Sequence, residues 1–335
     1  MNKYYTITIL FFMHVSAKAQ DVHFSQFFAA PLYYNPANTG NFSGSWRVGL
    51  NYKDQWGSFT VPYTSYDLYS DVVIQPKQSV NRFGIGLLAL NDIAGDGVLT
   101  SSRLQASTSY HINYKPEATW RFAFGMSGAY VQKTLDIYKL TFDSQWDADE
   151  FNVSLSNNES SASNKLNYYD FSAGALLTHI PYEGERYYFG LAAHHINKPQ
   201  ESFYEDDNTI HMKYVAQAGA LFQISTNATL QPQVFYTQQS SASEIIAGTN
   251  MSMRMYYFDK EKYHALILGA WYRYKDAAWL VAGMNFDGFT FSVNYDFNLS
   301  QLTPASKAKG GIEFALVYTL TRKDKHDPFD CPAFE

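Results

Sequence analysis

The acidic run Asp147, Asp149 and Glu150 is the group of side chains whose spacing best suits metal chemistry. Closely spaced carboxylates can bind Ca²⁺, which prefers oxygen ligands. The run lacks, however, the glycine and the later glutamate that complete a helix–loop–helix calcium site. A solvated acidic loop is therefore favoured, and we predict no metal site.

Two adjacent histidines, His194 and His195, could take part in acid–base or metal chemistry. Successive side chains of a strand point to opposite faces, so the two rings cannot bind one ion together. We expect one ring to face inward and the other to face the surface. The sequence contains neither G-x-S-x-G nor H-E-x-x-H. We predict no catalytic residue and no cofactor, although a Ser, His and Asp brought together only by the fold stays open.

The segments that must position any such site alternate strictly between polar and apolar residues. In residues 103–114, RLQASTSYHINY, one face carries Leu, Ala, Thr, Tyr, Ile and Tyr, and the other carries Arg, Gln, Ser, Ser, His and Asn. A soluble sandwich would pack the apolar face on a core, whereas an outer-membrane barrel would turn it to lipid and enclose the polar face in a wet lumen. The stretch is longer than the roughly 5–6 residues of a sandwich strand and reaches the roughly 9–11 of a membrane-spanning strand.

Similar segments recur along the whole chain. Those that read as strands are roughly 44–55, 63–74, 82–91, 98–114, 119–133, 167–180, 185–197, 210–224, 227–238, 243–256, 263–274, 277–286, 288–298 and 309–321. The even-numbered connections between them are short, and the longest connections, 134–166 and 198–209, are odd-numbered. This is the pattern of an outer-membrane barrel, which has short periplasmic turns and longer outer loops. We predict an all-β fold, a transmembrane antiparallel barrel of about 14 strands, within a range of about 12–16.

The composition agrees with a barrel and excludes several other classes. The chain has 27 Tyr and 25 Phe among 335 residues, as expected of aromatic girdles, and no second long apolar run after the N-terminal one. A large secreted β-protein would fit the composition almost as well. The net charge of −6 argues against a nucleic-acid partner. The single cysteine, Cys331, leaves no intrachain disulfide possible.

The two ends of the chain differ in composition from its strands. Residues 1–19 combine a positive start, a short apolar run and the small-x-small sequence Ala17-Lys18-Ala19, which is typical of a cleaved signal peptide. We predict that signal peptide, an N-terminal periplasmic lead (20–43), a barrel (44–321) and a C-terminal periplasmic tail (322–335). The lead is aromatic and proline-containing, so we expect it to plug or cap the barrel rather than dock on a periplasmic protein.

A set of arginines falls on the polar face of the predicted strands, and its members are the candidates for charges inside the lumen. They are Arg47, Arg103, Arg121, Arg254 and Arg273. They could select or hold a partner segment. They could instead pair with inward acids such as Glu313, which we favour because enclosed charges need partners whether or not they act on a ligand.

The whole chain after the predicted signal peptide resembles the PorP/SprF family. Residues 20–40, QDVHFSQFFAAPLYYNPANTG, are similar to the opening of that family, and residues 189–203, 230–239, 268–302 and the ending CPAFE extend the resemblance. The positions that carry the signature are Gln20, Asp21, Phe24, Ser25, Gln26, Pro31, Asn35, Pro36, Ala37, Gly40, Arg273 and Asp276.

The resemblance implies a barrel in the outer membrane of a Gram-negative bacterium, tied to type IX secretion and gliding. It implies contact with outer-membrane lipid and with protein partners, which are the secretion-ring components or one large cargo adhesin. It carries over no catalytic residue, metal or cofactor. A passive outer-membrane channel or hydrophobic-solute transporter stays open as the alternative. The Ser/Asn-rich insert at 151–164 departs from the family pattern, and this leaves the identity of the partner open.

Overall fold

The computed structural model describes residues 21–55, 57, 61–77, 79–113, 119–147, 150–152, 154–156, 164–203, 208–255, 264–300 and 303–320. The predicted signal peptide, the tail at 322–335, Gln20, Asp149 and Cys331 lie outside the described residues.

The described residues form a closed antiparallel barrel of fourteen strands and a separate two-stranded hairpin. The barrel strands are β1 (Trp46–Gln55), β2 (Tyr63–Ile74), β3 (Arg82–Ala94), β4 (Leu99–Asn113), β5 (Trp120–Thr134), β8 (Lys165–His179), β9 (Glu185–His194), β10 (Lys213–Ser225), β11 (Ala228–Gln239), β12 (Ala242–Met255), β13 (His264–Arg273), β14 (Ala277–Phe286), β15 (Phe289–Asn298) and β16 (Lys309–Leu320). The hairpin is β6 (Trp146–Asp147) with β7 (Glu150–Phe151). Short helices are α1 (Pro31–Tyr34) and α2 (Thr303–Ser306), and single 3-10 turns span Phe27–Ala29, Pro36–Asn38, Ile137–Lys139 and Asp143–Gln145.

Each barrel strand pairs with its neighbours along the chain, and the first strand closes the ring on the last. β1 meets β16 over its full length, from Trp46 opposite Leu320 to Gln55 opposite Gly311. Closure gives every barrel strand a hydrogen-bonded neighbour on both sides, so the sheet has no free edge strand. The prediction of an antiparallel barrel of about 14 strands is confirmed.

The alternation of each strand sets what faces the membrane and what faces the lumen. On β4 the side chain of Leu104 is 61% exposed on the outer face, while Gln105 and His111 are buried on the inner one. The outer surface is lined by large apolar side chains around the whole ring. Among the described residues no helix has the length and apolarity to cross a membrane.

The barrel has two distinct ends. We call the end that holds Trp46 and Leu320 the turn end and the opposite one the loop end. The loop end carries the two longest connections, residues 135–164 and 195–212, and the first of these includes the β6–β7 hairpin. At the turn end aromatic rings meet on the outer surface, as in the stacked pair Trp120 and His179 at 4.0 Å. Such rings are typical of the girdle at a membrane interface.

The lead runs through the inside of the barrel and supplies a large share of its hydrophobic core. It begins with Asp21 near the start of β10 at the loop end and reaches Gly40 beside β2 and β3 at the turn end. Residues 24–40 are all buried. The hydrophobic core therefore lies in the lumen, between the lead and the inward side chains of the strands.

Candidate functional site: the lumen and its N-terminal lead

An aromatic cluster packs the lead against one wall of the lumen. Phe27 stacks on Phe235 of β11 at 4.7 Å, and Phe28 stacks on Trp271 of β13 at 5.2 Å. Tyr34 meets the same Phe235 edge-on at 4.9 Å. Such ring pairs add about 0.5–1.5 kcal/mol each beyond the area that they bury. The cluster ties the lead to the wall formed by β11 and β13.

Glycines on the opposite wall leave room for the backbone of the lead. A Cβ atom added at Gly84 would overlap the carbonyl of Thr39, one at Gly125 would overlap Pro36, and one at Gly174 would overlap the amide of Asn35. A side chain at any of these positions would push the lead from the wall. We call Gly84, Gly125 and Gly174 the glycine track.

The glycine track provides a test of how closely the lead must fit. We expect Gly125→Val to displace the Pro36 turn and to lower the free energy of unfolding by about 1–3 kcal/mol, as overpacking does in cores. Gly128→Val is the matched control, because Gly128 lies on the outer face, where an added Cβ meets only the ring of Phe171 at 3.3 Å. Urea unfolding of the refolded barrels measures both. Equal stability of the two variants would contradict the close packing of the lead against Gly125.

Polar contacts fix the lead to the turn end. Asp71 on β2 accepts two hydrogen bonds from the guanidinium of Arg47, each of 2.9 Å, and a third of 2.7 Å from the backbone N–H of Gly40. Arg47 also donates to the carbonyl of Asn38 and lies over the ring of Phe42. Arg47 and Asp71 are both buried, so their charges compensate each other inside the lumen.

A second set of contacts holds the lead to β15 and β16. The buried carboxylate of Glu313 accepts the backbone N–H groups of Ser25 and Gln26, each at 2.8 Å. Ser25 donates its hydroxyl to Asp296 at 2.6 Å and accepts a hydrogen bond from Arg273. Two distant parts of the predicted signature, Ser25 and Arg273, thus meet in the lumen.

The middle of the lead is held by its own cap and by main-chain contacts. The side chain of Asn35 accepts the N–H of Ala37 and so caps the Pro36 turn, while its amide donates to the carbonyl of Ala175 at 3.3 Å. Thr39 donates its hydroxyl to Ser107 on β4. The signature positions Asn35, Pro36 and Ala37 therefore form one capped turn against the wall.

Both predicted histidines face the lumen, which corrects the expectation that one would face the surface. His194 is 6% exposed and His195 is 3% exposed. β9 ends at His194, and the backbone of His195 is left-handed, with φ of 57°, so the strand alternation stops there. His195 places its Nε2 at 2.8 Å from Asp21 and its Nδ1 at 3.0 Å from Asp170. The ring thereby links the start of the lead to β8.

The neighbouring carboxylates of Asp21 and Asp170 stabilise the protonated form of His195, which lies just beyond β9. Burial of the ring lowers its pKa, but the Asp21 carboxylate and the hydrogen bonds to Asp170 and Asp21 raise the pKa of His195 to about 9. Burial raises the pKa of Asp21, but Lys213 and His195 bring it well below the usual range. Asp21 and His195 are therefore both ionised at neutral pH.

We expect alkaline pH to release the start of the lead. Because the pKa of His195 is raised above its ordinary 6.5, the stabilisation is complete below that value and is lost as pH rises through about 9. A nitroxide at Val22→Cys, in a Cys331→Ala background, should gain mobility between pH 8 and 10. His195→Asn should be mobile at every pH. If the spectrum of the labelled protein that keeps His195 did not change with pH, the ion pair between His195 and Asp21 would be contradicted.

The arginine candidates lie in different environments. Arg47 pairs with Asp71, Arg103 with Asp170 at 2.7 Å, and Arg273 with Glu244. Arg121 is half-buried, and Arg254 is exposed at the turn end. Glu313, which we expected beside an arginine, instead accepts the two backbone N–H groups of the lead, because Ser25 and Gln26 lie directly against it.

The remaining sequence candidates stay apart from the lumen. Asp147 and Glu150 lie exposed in the β6–β7 hairpin. Over the described part of the chain, no three His, Cys, Asp or Glu side chains come close enough to hold a metal ion. The inward acids Asp71 and Asp170 were missed, although both lie on the inward face of their strands, where arginines of the neighbouring wall need partners.

Comparison with known proteins gives a family and a fold. The family model described as "Type IX secretion system membrane protein PorP/SprF" matches residues 16–318. The toluene transporter TbuX of Ralstonia pickettii is 10% identical, with a TM-score of 0.50 over 87% of this chain and 92% of that one. A TodX deltaS2S3 mutant, titled a monoaromatic hydrocarbon channel, is 10% identical, with a TM-score of 0.50 over 86% and 92%. These likenesses show the fold alone. No curated protein matches the chain.

Proposed function

The chain belongs to the PorP/SprF family of type IX secretion system membrane proteins, and from that membership we propose that it is a non-enzymatic outer-membrane component of the secretion machinery. In this role the barrel is an anchor that binds protein partners at its two ends. The partners on the periplasmic side are ring components of the apparatus, and the partner on the outer side is a large secreted adhesin.

The observation that carries this proposal is the filled lumen. The lead occupies the barrel from Asp21 at one end to Gly40 at the other, and its aromatic rings pack against Phe235 and Trp271 of the wall. A lumen filled by a segment of its own chain leaves no open channel of the kind that porins have. The remaining surfaces for function are the lipid-facing wall and the two ends.

The proposed orientation places the turn end in the periplasm and the loop end outside. Barrels of this class have short periplasmic turns and longer outer loops. On this orientation the 135–164 and 195–212 connections face outward, together with the exposed aromatic side chains of Tyr138 and Trp146. Binding loops on a rigid scaffold commonly carry partner specificity.

The test is deletion of the protein from its host. We expect the loss of surface display of one or a few cargo proteins, with uptake of small solutes unchanged, and restoration of display by the wild-type gene. Surface display is measured by labelling of intact cells and mass spectrometry of the labelled proteins. Normal display together with impaired solute uptake would refute the proposal and favour the passive channel.

A further inference from the structure

The ring closes where the first strand, β1, meets the last strand, β16, and we call this pair of strands the seam. Its residues are the most distant along the chain of any paired strands in the barrel, with Trp46 opposite Leu320. Bringing such distant segments together costs more chain entropy than closing a hairpin does. Until they meet, β1 and β16 each present an unpaired edge, which is costly in a membrane. The seam therefore gains most from a contact that holds its two strands together.

The start of the lead binds the C-terminal side of the seam. The carboxylate of Glu313 on β16 accepts the backbone N–H groups of Ser25 and Gln26, each at 2.8 Å. The side-chain amide of Gln26 donates to Asn294 of β15 at 2.8 Å and accepts the hydroxyl of Ser292 on the same strand at 2.6 Å. Ser25 and Gln26 are fully buried, so these hydrogen bonds form away from water, where they are stronger.

The same part of the lead binds the N-terminal side of the seam. Lys53 of β1 donates to the backbone carbonyl of His23 at 2.8 Å, and Asn51 of β1 donates to the carbonyl of Ala29 at 3.1 Å. These two contacts flank the lead residues that bind β15 and β16. Lys53 lies directly opposite Glu313 across the seam. The lead therefore bridges both strands of the seam at one level of the barrel.

The end of the lead bridges the seam again at the turn end. The backbone N–H of Ser45, which follows the lead, donates to the carbonyl of Leu320 on β16 at 2.9 Å. The carbonyl of Ser45 accepts the N–H of Val73 on β2 at 3.0 Å. Arg47 of β1 donates to the carbonyl of Asn38 at 3.3 Å. The first and last strands are thus joined through this segment at two levels.

We propose that the lead is a clamp that speeds closure of the barrel and then holds the seam from inside. Residues 25–26 bind β15 and β16, and because the lead continues directly into β1, this binding brings β1 next to β16. The search of β1 for its partner is then confined to a short distance, which lowers the entropic cost of closure. The inference concerns assembly of the barrel and does not depend on its role in secretion.

The experiment follows refolding of the full chain from urea into detergent micelles, in a Cys331→Ala background. Leu50→Cys with Leu316→Cys places two thiols opposite each other on the outer face of the seam. Leu104→Cys with Tyr130→Cys is the matched pair across β4 and β5. A bifunctional thiol cross-linker added at intervals traps each pairing, which is read on a gel.

We expect Ser25→Ala with Gln26→Ala to slow the seam cross-link about 10-fold and to leave the β4–β5 cross-link within about 2-fold, because side-chain hydrogen bonds to the seam are lost. Gln26→Ala alone keeps both backbone N–H bonds to Glu313 and should slow the seam about 3-fold, which provides a test even where the double variant does not fold.

Asn35→Ala with Thr39→Ala is the control within the lead, because these side chains bind the wall away from the seam, at Ala175 and Ser107. We expect its seam cross-link within about 2-fold of the wild-type rate. An unchanged seam rate in the Ser25 and Gln26 variants would overturn the proposal. Equal slowing of the seam and of the β4–β5 pair, or equal slowing of the seam by both lead variants, would show general stabilisation only and would also overturn it.

Discussion

Removal of residues 24–38 should convert a silent barrel into a conducting one. These residues supply Phe27, Phe28 and Tyr34, whose rings pack against Phe235 and Trp271 across the lumen. Without them a fourteen-stranded wall encloses a space lined by polar side chains. In planar lipid bilayers we expect no steady conductance from the wild type and stable channel openings from the deletion variant.

The deletion removes much of the core, so a milder variant is needed beside it. Phe27→Ala with Phe28→Ala keeps both polar anchors of the lead and removes only the stacked rings, and we expect brief openings from it. Trp146→Ala with Phe151→Ala is the matched control, because those exposed rings meet only in the β6–β7 hairpin outside the lumen. Silent traces from both lead variants, with migration on a gel that reports a folded barrel, would refute closure of the lumen by the lead.

The second large effect concerns the charge pair at the turn end. Asp71→Ala should lower the free energy of unfolding by about 3–5 kcal/mol, the cost of leaving a buried charge without its partner. Arg47 is 3% exposed and has its guanidinium held by both oxygens of Asp71. The N–H of Gly40 loses its acceptor in the same variant. Urea unfolding of the refolded barrel, followed by tryptophan fluorescence, measures the loss.

Two further variants separate the effect of the unpaired buried charge from the effect of the lost side-chain volume. Asp136→Ala removes an exposed partner of Lys139 at 3.9 Å, and we expect a change of about 0.5 kcal/mol or less. Arg47→Met with Asp71→Leu removes both charges, and we expect it to recover much of the stability because apolar replacements of a buried pair are often neutral. If the Asp71→Ala barrel were as stable as the Asp136→Ala barrel, the role of Asp71 in anchoring Arg47 and the lead would be contradicted.

The barrel could be predicted because its information is local. A strand that spans a membrane needs apolar side chains on its lipid-facing side. This requirement produces an alternation of polar and apolar residues that can be recognised in each strand separately. The predicted strand 98–114 and the observed strand β4, Leu99–Asn113, differ only at their ends. The same rule failed at His195, because alternation holds only while the backbone stays extended and this residue is left-handed.

The contacts of the lead could not be predicted in the same way. Glu313 lies far along the chain from Ser25, and no period in the sequence connects them. Signature residues were grouped by resemblance, which gave no partner for any of them. The sequence did contain one indication of where the lead would lie, namely glycines at inward-facing strand positions. Gly84, Gly125 and Gly174 fall on inward positions where other strands carry polar side chains, and such positions indicate the close approach of another backbone.

The central claim is that this barrel is a closed, partner-binding component of the secretion machinery. Its most direct test is purification of the tagged protein from host outer membranes, with identification and quantification of the bound proteins by mass spectrometry. We predict that secretion-ring proteins or one large adhesin co-purify in amounts comparable to the barrel and are absent from a mock purification of an untagged strain. Recovery of the barrel alone, with conductance in bilayers, would contradict the claim and identify the protein as a channel.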